Sequence, residues 1–304
     1  MSMSQPFEIE WHGVPTLGGA VVIGIFDGVH KGHQLIINKA RESGEVVALT
    51  FYPHPAEVLN PTNAPTELLP LNERINYLIE NGVSSVAVLS FTKEFSEMSP
   101  KEFIDKIIKD NLNAKSITVG SNFRFGHKAM GDVAYLQEFS GVAVTGLDLA
   151  VELGTSISST RIREAITNGN IEIARELLTR PHVLIGNVIH GEKRGRTIGY
   201  PTANISLTKR STIPSDGVYA GWLSVEGNKW PAAISIGTNP TFAGERNRQV
   251  EAYALDQKNL ELYDKVARVE FGWRLRDTIK FDGLEPLLAQ MKVDCEKAKE
   301  LTRN

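Results

Sequence analysis

Short runs of apolar and β-branched residues alternate with amphipathic stretches through the first half of the chain. The runs are bounded by turn residues, and their length suits strands that are buried on both faces. They predict strands at Val21–Ile25, Val46–Phe51, Ser85–Leu89, Ser116–Val119 and Val142–Leu147. The stretches between them predict helices at His33–Ser43, Leu71–Asn81, Pro100–Asn111 and Asp132–Phe139. This alternation indicates a doubly wound parallel sheet, in which ligands bind at the carboxyl ends of strands.

The pattern changes after two short predicted helices, Thr160–Asn168 and Ile171–Leu178, which end at Arg180-Pro181. Strand-like runs then follow one another without helices between them, which predicts an antiparallel sheet or a small barrel. These runs are His182–Ile189, Gly217–Val225, Trp230–Ile236, Val250–Leu255 and Lys265–Phe271. A final amphipathic stretch, Leu284–Leu301, predicts a closing helix.

Length and composition agree with two globular domains. The chain has 304 residues, and domains usually contain roughly 100–200. We therefore expect domains at residues 1–181 and 182–304. Charged residues make up 23% of the chain and the net charge is −3, so no general basic field favours nucleic acid as a partner.

Cysteine usage and hydropathy bear on location. The single cysteine, Cys295, excludes an intrachain disulfide and a cysteine-based structural zinc site, and it suits a reducing cytosol. The longest apolar stretch, Ala20–Phe26, is far shorter than the ~20 residues that cross a bilayer. The first ten residues lack the basic segment of a signal peptide. We expect a cytoplasmic protein that does not contact a membrane.

The most informative motif is G-I-F-D-G-V-H-K-G-H, which joins the first predicted strand to the first helix. A helix N-terminus offers unpaired N–H groups to phosphate, and glycines allow the close approach of a ligand. His30 and His33 can face one pocket and stabilise charge on a reacting phosphorus. The candidate phosphate-binding residues are Gly24, Phe26, Asp27, Gly28 and Gly32. A tight turn with two surface histidines and a zinc site are the alternatives.

Two further motifs of the first half carry candidate ligands. In S-S-T-R, a hydroxyl of Ser158, Ser159 or Thr160 can cap the following helix, and Arg161 in the first turn favours a bound anion such as a triphosphate. In N-F-R-F-G, Phe123 alternates inward whereas Asn122 and Arg124 face a ligand. A capped surface helix and an ordinary strand edge are the plainer interpretations.

The second half contains a basic, glycine-rich segment before a P-T-A-N motif. The cations and glycines suit a flap over phosphates, although the segment is not a Walker A loop. The candidates are Gly191, Lys193, Gly195, Arg196 and Gly199. Thr202 and Asn204 both carry hard oxygen ligands, and in an extended chain they share a face, so they can hold one Mg²⁺. A basic hairpin on a barrel is the alternative.

The stretch from Gly24 to His33 resembles the nucleotidylyltransferase superfamily, whose H-x-G-H binds ATP phosphates. Three downstream motifs are similar in order and spacing to the FAD synthetase module of bacterial bifunctional riboflavin kinase/FAD synthetases: T-F-Y-P-H-P (Thr50–Pro55), G-S-N-F-R-F-G-H-K-A-M-G-D (Gly120–Asp132) and I-S-S-T-R-I-R (Ile157–Arg163). Ile25 and Asn122 depart from the residues that many members have, Asn and Asp respectively. The resemblance implies a Rossmann-like domain, with Asn122, Phe123 and Arg124 near the flavin.

The second half resembles the riboflavin kinase domain, a six-stranded barrel-like fold. The flap and P-T-A-N carry this resemblance, together with G-V-Y-A, I-G-T-N-P-T-F, V-E-A-Y and R-L-R-D. It implies that Glu251 acts on the ribityl hydroxyl of riboflavin, and that Arg274 and Arg276 lie near the isoalloxazine ring. An outward-facing strand residue is the plainer interpretation of Glu251.

Together the resemblances imply a bifunctional enzyme that phosphorylates riboflavin to FMN and adenylylates FMN to FAD, with ATP and Mg²⁺. No nucleic acid, membrane or obligatory protein partner is expected. The alternatives are a nucleotidylyltransferase for another phosphate acceptor and a flavin-binding regulator that has lost catalysis. The P-T-A-N motif argues against the first, and the intact His30, His33, Thr202, Asn204 and Glu251 argue against the second.

Overall fold

A computed structural model describes residues 7–191, 199–238, 248–257 and 259–303. The predicted flap residues Lys193, Gly195 and Arg196 lie outside these residues. The chain forms two compact units. The N-terminal unit comprises Met1–Pro65 and Pro70–Ser158, and the C-terminal unit comprises Thr66–Leu69 and Ser159–Asn304.

The N-terminal unit contains the predicted doubly wound sheet. Its strand order is β1-β4-β3-β2-β5-β6, and all pairings are parallel except that of β1 with β4. The strands are β1 (Ile9–His12), β2 (Ala20–Ile23), β3 (Val46–Tyr52), β4 (Ser85–Ser90), β5 (Ser116–Gly120) and β6 (Ala143–Leu147). The chain order reverses between β2 and β5, so a ligand crevice is expected where these two strands end.

Helices connect the parallel strands of this sheet. They are α1 (Lys31–Arg41), α2 (Pro55–Leu59), α3 (Leu71–Glu80), α4 (Lys93–Ser96), α5 (Pro100–Glu102) and α6 (Val133–Phe139). The periodicity predicts α1, α3, α5 and α6 but not the short helices α2 and α4. Helix α5 continues as a wider π-helix over Phe103–Asn111. Ser99 caps α5 in a capping box with Glu102. A short hairpin of β7 (Val151–Glu152) and β8 (Thr155–Ser156) ends the unit.

Packing on both faces of the sheet explains why the strands of the N-terminal unit are continuous apolar runs in the sequence. Val21 and Leu49, on neighbouring strands, pack in one cluster with Ile104 and Ile108 of the π-helix. The alternate strand residues, such as Val22, are also fully buried, but outside that cluster. Because successive side chains of a strand point to opposite faces, the sheet is covered on both sides.

The C-terminal unit contains a closed six-stranded barrel, which the family resemblance implied. Its strand order is β10-β13-β12-β11-β14-β9, and every neighbouring pair is antiparallel. The strands are β9 (His182–Ile189), β10 (Ala203–Ser206), β11 (Gly217–Val225), β12 (Asn228–Thr238), β13 (Arg248–Ala254) and β14 (Val266–Arg276).

The described residues of the C-terminal unit also form the helices α7 (Ser159–Thr167), α8 (Ile171–Leu178) and α9 (Leu284–Leu301). Ala298 of α9 packs with Ala220 and Leu255 against the outside of the barrel. The segment Thr66–Leu69 also belongs to this unit: Glu67 donates its N–H to the Arg210 carbonyl at 2.7 Å. The two compact units therefore divide before α7. The boundary expected after residue 181 is placed between two domains of different activity, and it stays a prediction.

Among the described residues, no helix is both long and apolar enough to span a bilayer.

Candidate active sites

The loop between β2 and α1 lies at the carboxyl end of β2, beside the point where the strand order reverses. Its backbone takes left-handed conformations at Phe26 (φ 53°), Gly28 (φ 83°) and Val29 (φ 40°). Such conformations are costly for non-glycine residues and persist where the surroundings hold them. Phe26 and Val29 are 1% and 0% exposed, so burial of their side chains stabilises this shape.

The two histidines of the loop are brought together. His30 is the N-cap residue of α1, and its Nδ1 accepts from the His33 backbone N–H at 3.4 Å. The rings stack with their centroids 3.6 Å apart. The Nδ1 atom of His33 is buried and has no hydrogen-bond partner among the described residues. The loop thus presents two adjacent imidazoles at a helix N-terminus, as the spacing of the motif predicts.

Burial holds the pKa of His33 well below its ordinary value, and the nearby charges of His30 and Arg74 lower it further. The His33 ring is therefore neutral near pH 7, with one nitrogen that donates and one that accepts. A neutral imidazole can donate one hydrogen bond to a phosphate oxygen without binding a proton first.

Side chains from β3 and α3 fix the start of the same loop. The carbonyl oxygen of Ile25 accepts from Thr50 Oγ1 at 3.1 Å and from Arg74 Nη1 at 3.1 Å. Arg74 also donates to the carbonyl of Phe51 at 3.5 Å and is only 1% exposed. A buried arginine thus joins the ends of two neighbouring strands directly behind the histidines.

A cavity of about 660 Å³ opens beside this loop, at the ends of β2, β3 and β5. Its inner wall is apolar, and its edge carries polar and cationic side chains. The aromatic lining residues are Phe51, Phe91, Phe95, Phe103, Phe123 and Phe125. The polar and cationic ones include His54, Asn122, Arg124, His127 and Lys128. An aromatic ring system with an anionic tail fits this arrangement.

The N-F-R-F-G segment has the predicted alternation. Phe123 and Phe125 stack with centroids 5.6 Å apart and pack with the core, whereas Asn122 and Arg124 are exposed at the cavity. Gly126 that follows has φ 73°, and a Cβ atom there would lie 2.7 Å from Pro100. Glycine is therefore required where this segment turns.

In the C-terminal unit, Thr202, Asn204 and Glu251 share one face of the barrel wall. Thr202 Oγ1 donates to Glu251 Oε2 at 3.2 Å, and Asn204 lies opposite Glu251 in the β10–β13 register. Their neighbours Ala203 and Val250 point into the barrel. A Cβ atom on Gly191 would lie 2.3 Å from Asn204 Nδ2, so the start of the predicted flap contacts this group. Gly199, near the end of the flap segment, has φ 88°.

Glu251 and Thr202 line a cavity of about 270 Å³ beside β12, β13 and α9. The wall is mainly apolar and includes Tyr200, Tyr253, Phe281, Met291 and Cys295. Burial is the main cause that raises the pKa of the Cys295 thiol to about 11, so this thiol is protonated at neutral pH. The cavity is mainly apolar and has the carboxylates of Glu251 and Asp294 in its lining, as in small-ligand sites that combine an apolar wall with a few polar groups.

The two predicted flavin arginines have different surroundings. Arg276 lines this cavity, and its guanidinium donates to both carboxylate oxygens of Asp294 on α9, with Nη2 to Oδ2 at 2.7 Å. Arg274 is not among the lining residues. It donates to the backbone carbonyl of Asp216 at 3.0 Å and to Asp277 Oδ1 at 2.7 Å.

The S-S-T-R motif stands where helix α7 begins. The helix starts at Ser159, so Ser158 precedes its first residue and Arg161 lies in its first turn. This is the predicted position of both residues along the helix. Their binding of a triphosphate stays a prediction.

Sequence reasoning missed Arg74, Asp294 and most of the aromatic cavity wall. Arg74 did carry a signal, because it stands on the apolar face of α3 with Ile75 and Leu78, where a charge is unusual. Asp294 had none, because a carboxylate on an amphipathic helix usually faces solvent. The described residues contain no group of three or more His, Cys, Asp or Glu side chains that could hold a metal ion.

Comparison with known proteins adds to this geometry. A family model described as FAD synthetase matches residues 16–161, and one described as riboflavin kinase matches residues 178–302. The chain is 37% identical over 293 residues to the bifunctional riboflavin kinase/FMN adenylyltransferase of Listeria monocytogenes, covering 94% of this chain and 92% of that protein. The Escherichia coli protein of the same name is 36% identical over 295 residues, covering 94% and 93%.

A solved structure is similar over almost the whole chain. It is the crystal structure of a protein from Streptococcus pneumoniae that was named a macrolide-efflux protein. The TM-score is 0.85 at 36% identity, and the match covers 95% of each chain. The two chains therefore share both units.

Proposed function

The chain belongs to the family of bifunctional riboflavin kinase/FMN adenylyltransferases, and on that premise we propose which residues carry its two reactions. It phosphorylates riboflavin to FMN with ATP, and it adenylylates FMN to FAD with release of pyrophosphate. The observation that carries the assignment is that each unit has its own cavity at its own motif residues. We assign adenylylation to the N-terminal unit and phosphorylation to the C-terminal unit.

For adenylylation, we assign the isoalloxazine ring of FMN to the aromatic cavity and the ATP phosphates to the loop Gly24–His33. The cavity and the loop share Gly24 and Ile25, so the FMN phosphate would reach the α-phosphorus of ATP at their junction. An FMN phosphate oxygen attacks this phosphorus, and pyrophosphate leaves. His30 and His33 donate hydrogen bonds to the phosphate oxygens, which stabilises the charge that develops there.

For phosphorylation, we place riboflavin in the cavity beside α9, with the ribityl chain toward Glu251. Glu251 orients the terminal hydroxyl and accepts its proton as the oxygen attacks the γ-phosphorus of ATP, whose bond to the bridging β–γ oxygen breaks so that ADP leaves. Thr202 and Asn204 would hold Mg²⁺, since they offer neutral oxygen donors on the face that carries Glu251. The ion would neutralise phosphate charge when bound.

The remaining assignments extend the same proposal. Small molecules are the substrates, and neither reaction needs a nucleic acid, a membrane or another protein. The single cysteine and the biosynthetic reactions support a cytoplasmic location. Arg276 is proposed at the flavin because it lines the cavity, whereas the engaged guanidinium of Arg274 favours a structural role.

The test is a time course with riboflavin, ATP and Mg²⁺ in which riboflavin, FMN and FAD are resolved by chromatography. The wild-type protein is expected to form FMN first and FAD afterwards. H30A and H33A should each lower FAD formation by at least about 100-fold, because the transition state loses a hydrogen-bond donor, while FMN accumulates. Loss of FMN formation in a folded H33A protein would contradict the division between the units.

A further inference from the structure

The buried guanidinium of Arg74 is a feature that the two proposed reactions do not use. The side chain is 1% exposed, and a buried cation is costly unless its surroundings compensate for it. It donates to the carbonyl oxygens of Ile25 and Phe51, at the ends of β2 and β3. The charge lies behind the loop that carries His30 and His33.

We propose that Arg74 is a positioning residue for adenylyl transfer, which holds the loop Gly24–His33 from behind and adds a buried positive charge to the ATP phosphate site. The inference rests on the proposed function of that loop. Arg74 does not line the aromatic cavity, so it acts through the loop and through its charge. Because a phosphate group is negative, a buried cation that no water screens favours its binding.

A change at Thr50 distinguishes the effect of the hydrogen bond to the loop from the effect of the Arg74 charge. The Thr50 hydroxyl donates to the same Ile25 carbonyl at the same distance, 3.1 Å, but it carries no charge. If Arg74 only fixed the loop, loss of either donor would have the same kind of effect. If the charge matters, only changes at Arg74 alter the titration of the site.

The effect of the Arg74 charge on the pKa of His33 has a sign that can be measured. Burial, His30 and Arg74 all lower the pKa of His33, and the neutral ring is the proposed donor to phosphate. The other ionisable groups of the loop and first turn are Asp27, which is buried, and Lys31, which pairs with Glu152. Removal of the Arg74 charge therefore raises the pKa of His33, so the part of the pH profile of adenylylation that reports the titration of His33 moves to higher pH than in the wild type.

The experiment measures kcat/KM for ATP in FMN adenylylation from pH 5 to 9 for the wild type, R74M, R74K and T50V. In R74M, kcat/KM is expected to fall on the order of 100-fold, as it does when a reacting group is displaced. The acid limb of its pH profile, which is the range where kcat/KM changes as the pH is lowered, should move to higher pH. R74K keeps the charge and should keep the wild-type limb. T50V should lower kcat/KM without moving the limb. Kinase activity of each variant and its thermal unfolding report on folding.

An acid limb of R74M that coincides with that of the wild type would overturn the inference, and so would a T50V limb that moves as far as that of R74M. If R74M does not fold, R74Q replaces it, since glutamine keeps a donor without the charge. H33A is measured in parallel. Full adenylylation by H33A would reject the proposed role of the loop itself, whereas an inactive H33A with an unaltered R74M would reject only the role of Arg74.

Discussion

At the scale of single residues, Glu251 illustrates how the barrel presents a carboxylate. Its neighbours along β13, Val250 and Ala252, fill the barrel interior, so Glu251 points outward to the cavity. Thr202 donates to it at 3.2 Å, which sets the orientation of the carboxylate before a substrate binds. A preoriented carboxylate is what general-base catalysis on a hydroxyl requires.

We therefore expect E251Q to lower kcat for riboflavin phosphorylation by about 10²–10⁴-fold, because glutamine can orient the hydroxyl but cannot accept its proton. The kinase is assayed by FMN formation from riboflavin. FAD formation from supplied FMN should stay at the wild-type rate, since the N-terminal unit is unchanged.

The matched control is E226Q in the same unit. Glu226 is at the exposed turn between β11 and β12, where it pairs with Lys265 at 2.7 Å. This variant should keep both activities. An E251Q protein with wild-type kinase activity would show that Glu251 is only a strand residue.

At the scale of elements, close strand packing in the barrel depends on particular glycines. A Cβ atom on Gly221 of β11 would lie 1.8 Å from the carbonyl oxygen of Glu270 on β14. That contact is far shorter than any real Cβ tolerates, and the obstacle is backbone rather than a flexible side chain. By contrast, a Cβ atom on Gly237 of β12 would meet nothing within 4 Å among the described residues.

G221A should therefore destabilise the C-terminal unit by about 3 kcal/mol, since β11 and β14 must separate to admit the methyl group. G237A, the matched control, should stay within about 0.5 kcal/mol of the wild type. The free energy of unfolding of both variants is measured by urea titration, with the loss of kinase activity as the signal. Equal midpoints for the two variants would show that the barrel adjusts at Gly221 without cost.

The elements themselves were largely predictable from periodicity. The bounds of α8, β9, β11 and α9 agree with those expected, because each has one strongly apolar face or a clear turn at its ends. The expectation missed the short helices α2 and α4 and the strands β1, β7, β8 and β10, which have two to five residues each. Strand β1 is an antiparallel edge strand with little apolar signal.

The candidate sites were predictable to a smaller extent, for a physical reason. Motifs such as H-K-G-H keep their chemistry within one turn of chain, so the pairing of His30 and His33 could be read from the sequence. The Arg74 contact with Ile25 joins residues 49 positions apart. The Arg276–Asp294 pair depends on how α9 packs against β14. Neither contact leaves a local pattern.

At the scale of the whole molecule, the chain order of the two units is interleaved. Thr66–Leu69 lies within the sequence of the N-terminal unit but belongs to the C-terminal one. Thr212 donates its backbone N–H to the Glu67 carbonyl at 3.0 Å and its hydroxyl to Thr66 Oγ1 at 2.8 Å. Leu68 and Leu69 are each 2% exposed. The C-terminal unit is therefore incomplete without this segment.

A fragment of residues 159–303 is thus expected to retain riboflavin kinase activity but to be less stable than the same unit in the full chain. The loss should be roughly 3–5 kcal/mol, since the contacts of two buried leucines and several hydrogen bonds disappear. Urea unfolding of both proteins, with kinase activity as the signal, measures the difference.

A synthetic peptide of residues 64–71 should raise the urea midpoint of the fragment as the peptide concentration rises, because the peptide binds only the folded unit. A peptide of the same composition in scrambled order is the control. A fragment as stable as the full chain, and indifferent to both peptides, would show that Thr66–Leu69 lies on the unit without supporting it.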